Sequence, residues 1–227
     1  MAESDVPEDG RLRAMLERLH AQSEAQEHEL HAYAIERERR GQPLDVKQFD
    51  DEARAFFADK MVTLDRDKAA FCYRLCRAMQ ARRIVEAGTS FGVSTLYLAA
   101  SLRDSGATDG VVIATEFEPD KAAIARRNFE AAELESYIEL REGDLRETLK
   151  RLEGPIDFVL IDIWEVALPA LKLVAPHLRP GGVVVADNTL SRTGYYADYF
   201  AFLSDPANRF TTMTLPFNNG FEFSVRI

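Results

Sequence analysis

The chain is poor in several features, and each absence narrows its class. It has two cysteines in 227 residues, Cys72 and Cys76. No Cys-x-x-Cys pair is present, so neither a disulfide scaffold nor a thiol redox motif is available. Four apart, the two thiols share a face if the segment is helical, and their expected role is that of small buried hydrophobes. No apolar run approaches the ~20 residues that span a bilayer. The opening MAESDVPEDG is acidic and lacks the apolar core of a secretory signal, so a cytoplasmic location is expected. Residues 1 to about 10 read as disordered. Positive charge is also in deficit: 28 Lys+Arg against 38 Asp+Glu leave a net charge of -10. That balance favours solubility and disfavours broad attraction to nucleic acid or an anionic membrane. The local basic run Arg37, Arg39 and Arg40 reads as a solvated helix end. Internal repeats and low-complexity tracts are missing.

What is present suits one globular domain with a helical addition: 46% of residues are hydrophobic and 29% charged. Residues 11–39 are charged, with Leu12, Met15, Leu16, Leu19, Leu30 and Ala34 near helical spacing. Gly41-Gln42-Pro43 stops that helix. Further helices are expected at about 46–58 and 66–80, the latter capped by Asp65. The period then changes. Short apolar runs at 83–86, 111–115, 138–140, 158–161 and 183–186 alternate with helical stretches at about 93–103, 119–133, 145–152 and 166–178. This alternation signals parallel β-α-β units. A helix at about 195–203 and two closing strands, about 210–215 and 220–226, follow.

In an open α/β sheet, ligands lie outside the carboxyl ends of the strands. Those positions hold Glu86, Glu116, Gly143-Asp144, Asp162 and Asp187-Asn188. One such acid is easily a helix cap or turn residue; carboxylates at every strand tip are harder to explain that way. The first tip opens VEAGTSFGVST, residues 85–95, whose Gly-x-Ser-x-Gly is compatible with three chemistries: a hydrolase nucleophile elbow, a dinucleotide loop, or a loop for the methionine end of S-adenosylmethionine. An elbow needs a histidine near Ser90, and His177 falls at the opposite end of the sheet. His20, His28 and His31 lie in the polar N-terminal helix, where a solvated face is expected for His28 and His31. A nicotinamide fingerprint lacks its third glycine, although Glu116 sits 24 residues past Gly92. A pyrophosphate would also be repelled by Glu86, whereas an ammonium would be attracted to it.

The segments VEAGTSFGVSTLYLA, ATEFEPDKAAIARRNF, REGD, DFVLIDIW and VVVADNTL resemble the class I S-adenosylmethionine-dependent O-methyltransferases of the catechol and caffeoyl-CoA type. They span residues 84–190, and NGFEFSVRI also fits. The resemblance implies a Rossmann-like, doubly wound seven-stranded α/β sheet, mostly parallel with an antiparallel last strand. An N-terminal helical lid or oligomerisation segment would cover residues 1–80 and a cofactor-binding domain residues 81–227. It implies that Glu86, Gly88, Ser90, Gly92 and Ser94 hold the methionine moiety. Glu116 would accept the ribose hydroxyls, Phe117 would lie beside the adenine, and Gly143-Asp144 would sit near its amino group. Met61, Val62 and Thr63 match the lid segment over the cofactor.

Asp162, Asp187 and Asn188 match the family's metal triad, hard oxygen ligands suited to Mg²⁺ rather than zinc. Asp162 would thus touch cofactor, metal and acceptor. Trp164 matches an aromatic wall, and Tyr195, Tyr196 and Asn218 are further acceptor candidates. The family's lysine base, three residues after the first metal aspartate, is absent: Glu165 stands there. It can take a proton, bind the metal, or face solvent. The implied acceptor is a small hydroxylated aromatic such as a catechol, with a modified tRNA nucleotide or a non-catalytic cofactor-binding role as alternatives. Resemblance suggests a homodimer.

Overall fold

Near-continuous burial along the central strands marks a sheet covered on both faces. The structure is a computed structural model and describes residues 6–45, 48–164, 166–190 and 194–227. Its strands are β1 (Arg83–Ala87), β2 (Val111–Glu116), β3 (Ile138–Glu142), β4 (Ile156–Ile161), β5 (Leu178–Asp187), β6 (Phe210–Leu215) and β7 (Phe221–Arg226). They form one seven-stranded sheet in the order β3-β2-β1-β4-β5-β7-β6. β1 to β5 are mutually parallel, and β7 runs antiparallel to both β5 and β6. This is the expected Rossmann-like arrangement.

The helices are α1 (Gly10–Glu24), α2 (Glu27–Arg39), α3 (Asp51–Phe57), α4 (Arg66–Ala78), α5 (Val93–Asp104), α6 (Pro119–Ala131), α7 (Leu145–Thr148), α8 (Ala167–Val174) and α9 (Ala197–Ser204). One sheet face buries Ile84, Val112, Phe158, Leu160 and Val185 against Leu16 of α1, Tyr73 of α4 and Leu98 of α5. The alternate residues Val85, Ile113, Val159, Ile161 and Val184 bury the other face against Leu171 of α8 and Tyr199 of α9. A side-chain period of two thus feeds both cores from the same strands. Cys72 and Cys76 are buried in the first core, as expected. Among the described residues, no helix is long and apolar enough to cross a membrane.

The N-terminal third departs from expectation in several places. The single helix expected over 11–39 is two, broken at Ala25-Gln26. There the chain around Met61 docks: Ser23 Oγ donates to Met61 O at 2.7 Å and Met61 N donates to Gln26 Oε1 at 3.1 Å. Arg37 is no solvated end. It is 3% exposed, with Nη2 2.5 Å from Asp50 Oδ2 and Nε donating to Gln42 O at 2.8 Å. Its charge is therefore spent tying α2 to the start of α3, while Arg39 and Arg40 remain exposed. The helix expected at 46–58 begins only at Asp51, because Asp50 Oδ1 accepts from Ala53 N at 2.9 Å and caps it. Disorder was expected through residue 10, yet Val6 packs on the core and Arg13 Nη1 donates to Pro7 O and Glu8 O, both at 2.7 Å; residues 1–5 lie outside the described residues.

Asp65 precedes α4 as expected but makes no side-chain cap. Its carboxylate faces Lys68 instead, 3.0 Å from Nζ. The helix expected at 166–178 ends at Val174, since Pro176 cannot continue it; a 3₁₀ turn, Ala175–His177, leads into β5.

Candidate functional site

The order of the sheet reverses direction between β1 and β4, which makes the gap above their carboxyl ends the ligand crevice expected of such a sheet. The loop from Gly88 to Gly92 closes one side of it. Gly88, Ser90 and Gly92 all have positive φ, +97°, +50° and +86°. At Gly88 the requirement for glycine is absolute in practice: an added Cβ would lie 2.3 Å from the backbone oxygen of Asp162. At Gly92 it would lie 2.4 Å from the Phe129 ring. Asp162 N donates to Ala87 O at 2.9 Å, so the β1 and β4 tips are bonded side by side.

Two acids flank the loop. Glu86 is fully buried beneath it, where Oε2 accepts from Thr89 Oγ1 at 3.0 Å and from Thr95 Oγ1. Its Oε1 is buried without an aligned partner, as is Ser90 Oγ. Burial pushes the Glu86 carboxyl up to about 7, against the opposing pull of the Ser94, Thr95 and Thr89 hydroxyls. Glu116, at the tip of β2, accepts from Ser90 N at 2.6 Å through Oε2 and from Glu118 N at 2.9 Å through Oε1. Burial raises its pKa too, opposed by those N–H groups and by Lys121.

These elements surround a cavity of about 580 Å³, a size typical of small-molecule and cofactor sites. Of the residues singled out in the sequence, Val62, Thr63, Gly88, Ser90, Ser94, Glu116, Phe117, Gly143, Asp144, Asp162 and Trp164 line it. Phe117 is 57% exposed toward this opening, unusual for a large apolar ring and suited to a planar partner. Asp144 lines the cavity with its carboxylate already held by Arg146, whose Nε is 2.9 Å and Nη2 2.6 Å away. That pairing holds the Asp144 pKa below its usual value.

The other described residues singled out in the sequence lie outside this cavity. Met61 is buried in the first core and presents backbone to Ser23 and Gln26. Tyr196 is buried and donates to Asp187 O at 3.1 Å, a packing role. Tyr195 donates to Asp45 Oδ1 at 2.5 Å and borders a separate small cavity of about 50 Å³ shared with Trp164 and Tyr196. Asn218 sits exposed in the turn between β6 and β7 and lines neither cavity, because that turn docks against Leu190 through Leu190 N and Asn219 O, 2.8 Å apart. His20 is not on a solvated face: it is 2% exposed and lies 3.4 Å from Tyr97 Oη, and burial pushes its pKa down to about 4. His28 and His31 are exposed. His177 precedes β5, at the amino end of the parallel strands, so no histidine serves Ser90. Glu165 lies outside the described residues.

The structure adds cavity residues that the sequence did not announce. Phe49 and Phe57 stack with centroids 5.1 Å apart, and Trp164 meets Phe49 edge-on at 6.3 Å. All three line the cavity, as does Lys121 from the first turn of α6. The only sequence signal for the two phenylalanines was their position on one short segment before the sheet. Nothing in their spacing tied them to Trp164.

In the expected metal triad, Asp187 and Asn188 are engaged with groups of the chain itself. Asp162 lines the cavity and is partly open to it, yet lies deep in the protein. Burial raises its pKa well above the usual carboxylate range, as do the charges of Asp187 and Glu86. Asp187 is 5% exposed and is paired with a cation of the chain itself: Lys68 Nζ is 2.6 Å from Asp187 Oδ1. This is an ion contact rather than an aligned hydrogen bond, since Oδ1 has no partner of good hydrogen-bond geometry. Burial alone would lower the Lys68 pKa, but Asp187 and Asp65 outweigh it and hold the ammonium charged. Asn188 turns its amide nitrogen to Asp187 Oδ2 at 2.7 Å. Among the described residues, no group of three or more His, Cys, Asp or Glu side chains is placed to hold a metal ion. Hard oxygens of this kind suit Mg²⁺ in type, but with an ammonium on Asp187 the arrangement does not fit a dication.

The cofactor pocket, in contrast, fits a ligand that carries an amino group and a ribose. It offers an acid at the β2 tip and a loop shaped so that Cβ atoms are excluded; Glu86 does not line the cavity itself but lies buried directly beneath that loop, with Oε1 unpartnered.

Comparison with known proteins gives the same picture. Residues 85–189, a little under half of the chain, match the family described as a methyltransferase domain. Catechol O-methyltransferase of Niastella koreensis is 32% identical over 134 residues, 57% of this chain and 59% of that protein. Catechol O-methyltransferase of Mycobacterium tuberculosis is 33% identical over 139 residues, 60% and 61% of the two chains. The match thus spans about three fifths of the length of these relatives. Among solved structures, an O-methyltransferase from Bacillus cereus in complex with SAH superposes with a TM-score of 0.64 at 26% identity, covering 78% of this chain and 88% of that one. The resemblance read from the sequence is thus borne out as a likeness to a methyltransferase domain and to O-methyltransferases over that shared part.

Proposed function

We propose that this chain, class I O-methyltransferase-like in sequence and fold, moves a methyl group from S-adenosylmethionine to a hydroxyl of a small aromatic acceptor, catechols among them. The observation that carries this reading is the pairing of Glu86 and Glu116 across the Gly88–Gly92 loop at the switch point of the sheet. Glu86 Oε1, buried and unpartnered beneath the loop, supplies the charge that an α-amino group requires. Glu116 keeps lone pairs free beyond its two backbone contacts and can accept ribose hydroxyls. Phe117 offers a face for the adenine.

When bound, the cofactor supplies a methyl carbon activated by its sulfonium. The chain's own part is to position the acceptor and shield the site. Trp164, Phe49 and Phe57 form an aromatic wall for a flat acceptor. Asp162, at the cavity wall beside Gly88, is placed to accept a hydrogen bond from the acceptor hydroxyl, aim its oxygen, and take up its proton as the oxygen–methyl bond forms and the methyl–sulfur bond breaks. Alignment of this kind is worth up to roughly 7–11 kcal/mol of a barrier. The Mg²⁺ expected from the sequence carries no step in this proposal, because Lys68 already pairs with Asp187. A net charge of -10 favours a small acceptor over tRNA. Within the same proposal, residues 1–80 act as lid and homodimer contact, residues 81–227 as the catalytic domain, and the enzyme works in the cytoplasm.

The test is a screen of catechols, caffeoyl esters and polyketide phenols with S-adenosylmethionine, read as S-adenosylhomocysteine release and product mass. At least one phenol should gain 14 mass units on oxygen. A panel giving no acceptor-dependent release would remove the reading.

A further inference from the structure

We infer that the Lys68 ammonium takes the cation's place among Asp162, Asp187 and Asn188, so that this chain holds no divalent ion there. The inference deepens the proposed methyl transfer and rests on that reading for its catalytic meaning; the geometry stands apart from it. Lys68 lies one turn into α4, and its side chain is 1% exposed. A lysine is seldom buried so completely unless it is paired. Its Nζ is 2.6 Å from Asp187 Oδ1 and 3.0 Å from Asp65 Oδ2, and 6.0 Å from the centroid of the Phe221 ring. The ammonium is therefore held from α4, from the β5 tip and from the β7 side together.

The same contacts exclude a second cation. Mg²⁺ demands near-octahedral oxygen ligands at about 2.0–2.1 Å, and an ammonium already on the same carboxylate repels it and takes up an oxygen it would use. Asp187 Oδ1 is committed to Lys68, and its Oδ2 accepts from the Asn188 amide nitrogen at 2.7 Å. In a metal site the Asn188 oxygen would face the ion; here the amide nitrogen faces the carboxylate. Three hard-oxygen side chains remain at the strand tips, but a positive charge of the chain already sits on one of their two carboxylates. Lys68 is not among the residues that line the cavity, so it is a positioning residue: it fixes Asp187 at the β5 tip, next to the β4 tip that carries Asp162. Without a chelating ion, the acceptor has no need of two adjacent oxygens, and simple phenols qualify as well as vicinal diols.

Mn²⁺ is the probe. Electron paramagnetic resonance on the full chain should show no stoichiometric Mn²⁺ site in wild type at 100 µM protein, and Lys68→Ala should gain one site at least tenfold tighter. Adding Asp187→Asn to Lys68→Ala should remove it. Wild-type turnover should be unchanged by excess chelator. One tight Mn²⁺ in wild type that is lost in Asp187→Asn overturns the inference, whatever Lys68→Ala does. A folded Lys68→Ala that binds Mn²⁺ no better than wild type also overturns it. Calorimetry with S-adenosylhomocysteine on the same samples keeps this outcome separate from failure of the cofactor reading.

Discussion

Gly88→Ala should abolish cofactor binding and destabilise the fold by roughly 2–4 kcal/mol. Two costs add. A non-glycine residue at φ +97° carries strain of about 1–3 kcal/mol. The new Cβ would also sit 2.3 Å from Asp162 O and 3.0 Å from Asp162 C. Those atoms are backbone, so relief requires parting the β1 and β4 tips, which are joined by Asp162 N and Ala87 O at 2.9 Å. Any such movement displaces Asp162 and reshapes the loop proposed to hold the methionine end. Gly106→Ala is the matched control: its φ is +68°, yet nothing lies within 4 Å of an added Cβ. It should cost only about 1 kcal/mol and leave cofactor affinity intact. Denaturant melts and S-adenosylhomocysteine titration of both variants read the two effects; equal behaviour would contradict the account.

Glu86→Gln should alter the pH dependence of stability. Burial raises the wild-type carboxyl from an ordinary value near 4.5 to about 7 in the folded state. Between those values the folded protein keeps a proton that the unfolded chain has released. Stability therefore falls as pH rises from about 4.5 to about 7, and levels off above that. The Glu86 share is on the order of 3 kcal/mol, and Glu116, whose pKa is also raised by burial, adds to it with the same sign. The glutamine cannot ionise, so the variant should be more stable than wild type at pH 8 and closest to it near pH 4.5. It should also lose at least tenfold in cofactor affinity, because the amide offers an α-amino group no charge. Parallel stability curves for the two proteins between pH 5 and pH 8 would contradict this account of Glu86.

How much of this was legible in the sequence depends on chain distance. The strand tips were, because a β-α-β chain repeats a short apolar run and then exposes the next residues at one edge of the sheet. Glu86, Glu116, Asp162 and Asp187 could be placed there from pattern alone. The strained loop was legible because glycine at both of its ends is needed only where φ is positive or backbones meet. Lys68 was not. Its segment was read by helical spacing, and its partner Asp187 lies far along the chain, so nothing in either stretch signals the pairing. Arg37 failed for the same reason: a basic run at a helix end reads as solvated until the Asp50 carboxylate is seen folded back over it. Phe49 and Phe57 reach the cavity through a long-range ring contact, Phe49 against Trp164 just past the β4 tip, an arrangement with no period to detect. Local patterns therefore specified the cofactor half of the site, and long-range contacts specified the cation and the acceptor wall.

The most direct test of the central claim is calorimetric titration of S-adenosylhomocysteine into the wild-type chain and into Glu116→Ala. Binding of one equivalent by wild type, weakened at least tenfold in the variant, is the predicted result. No binding to wild type, or equal binding to both, would contradict the assignment of this cavity.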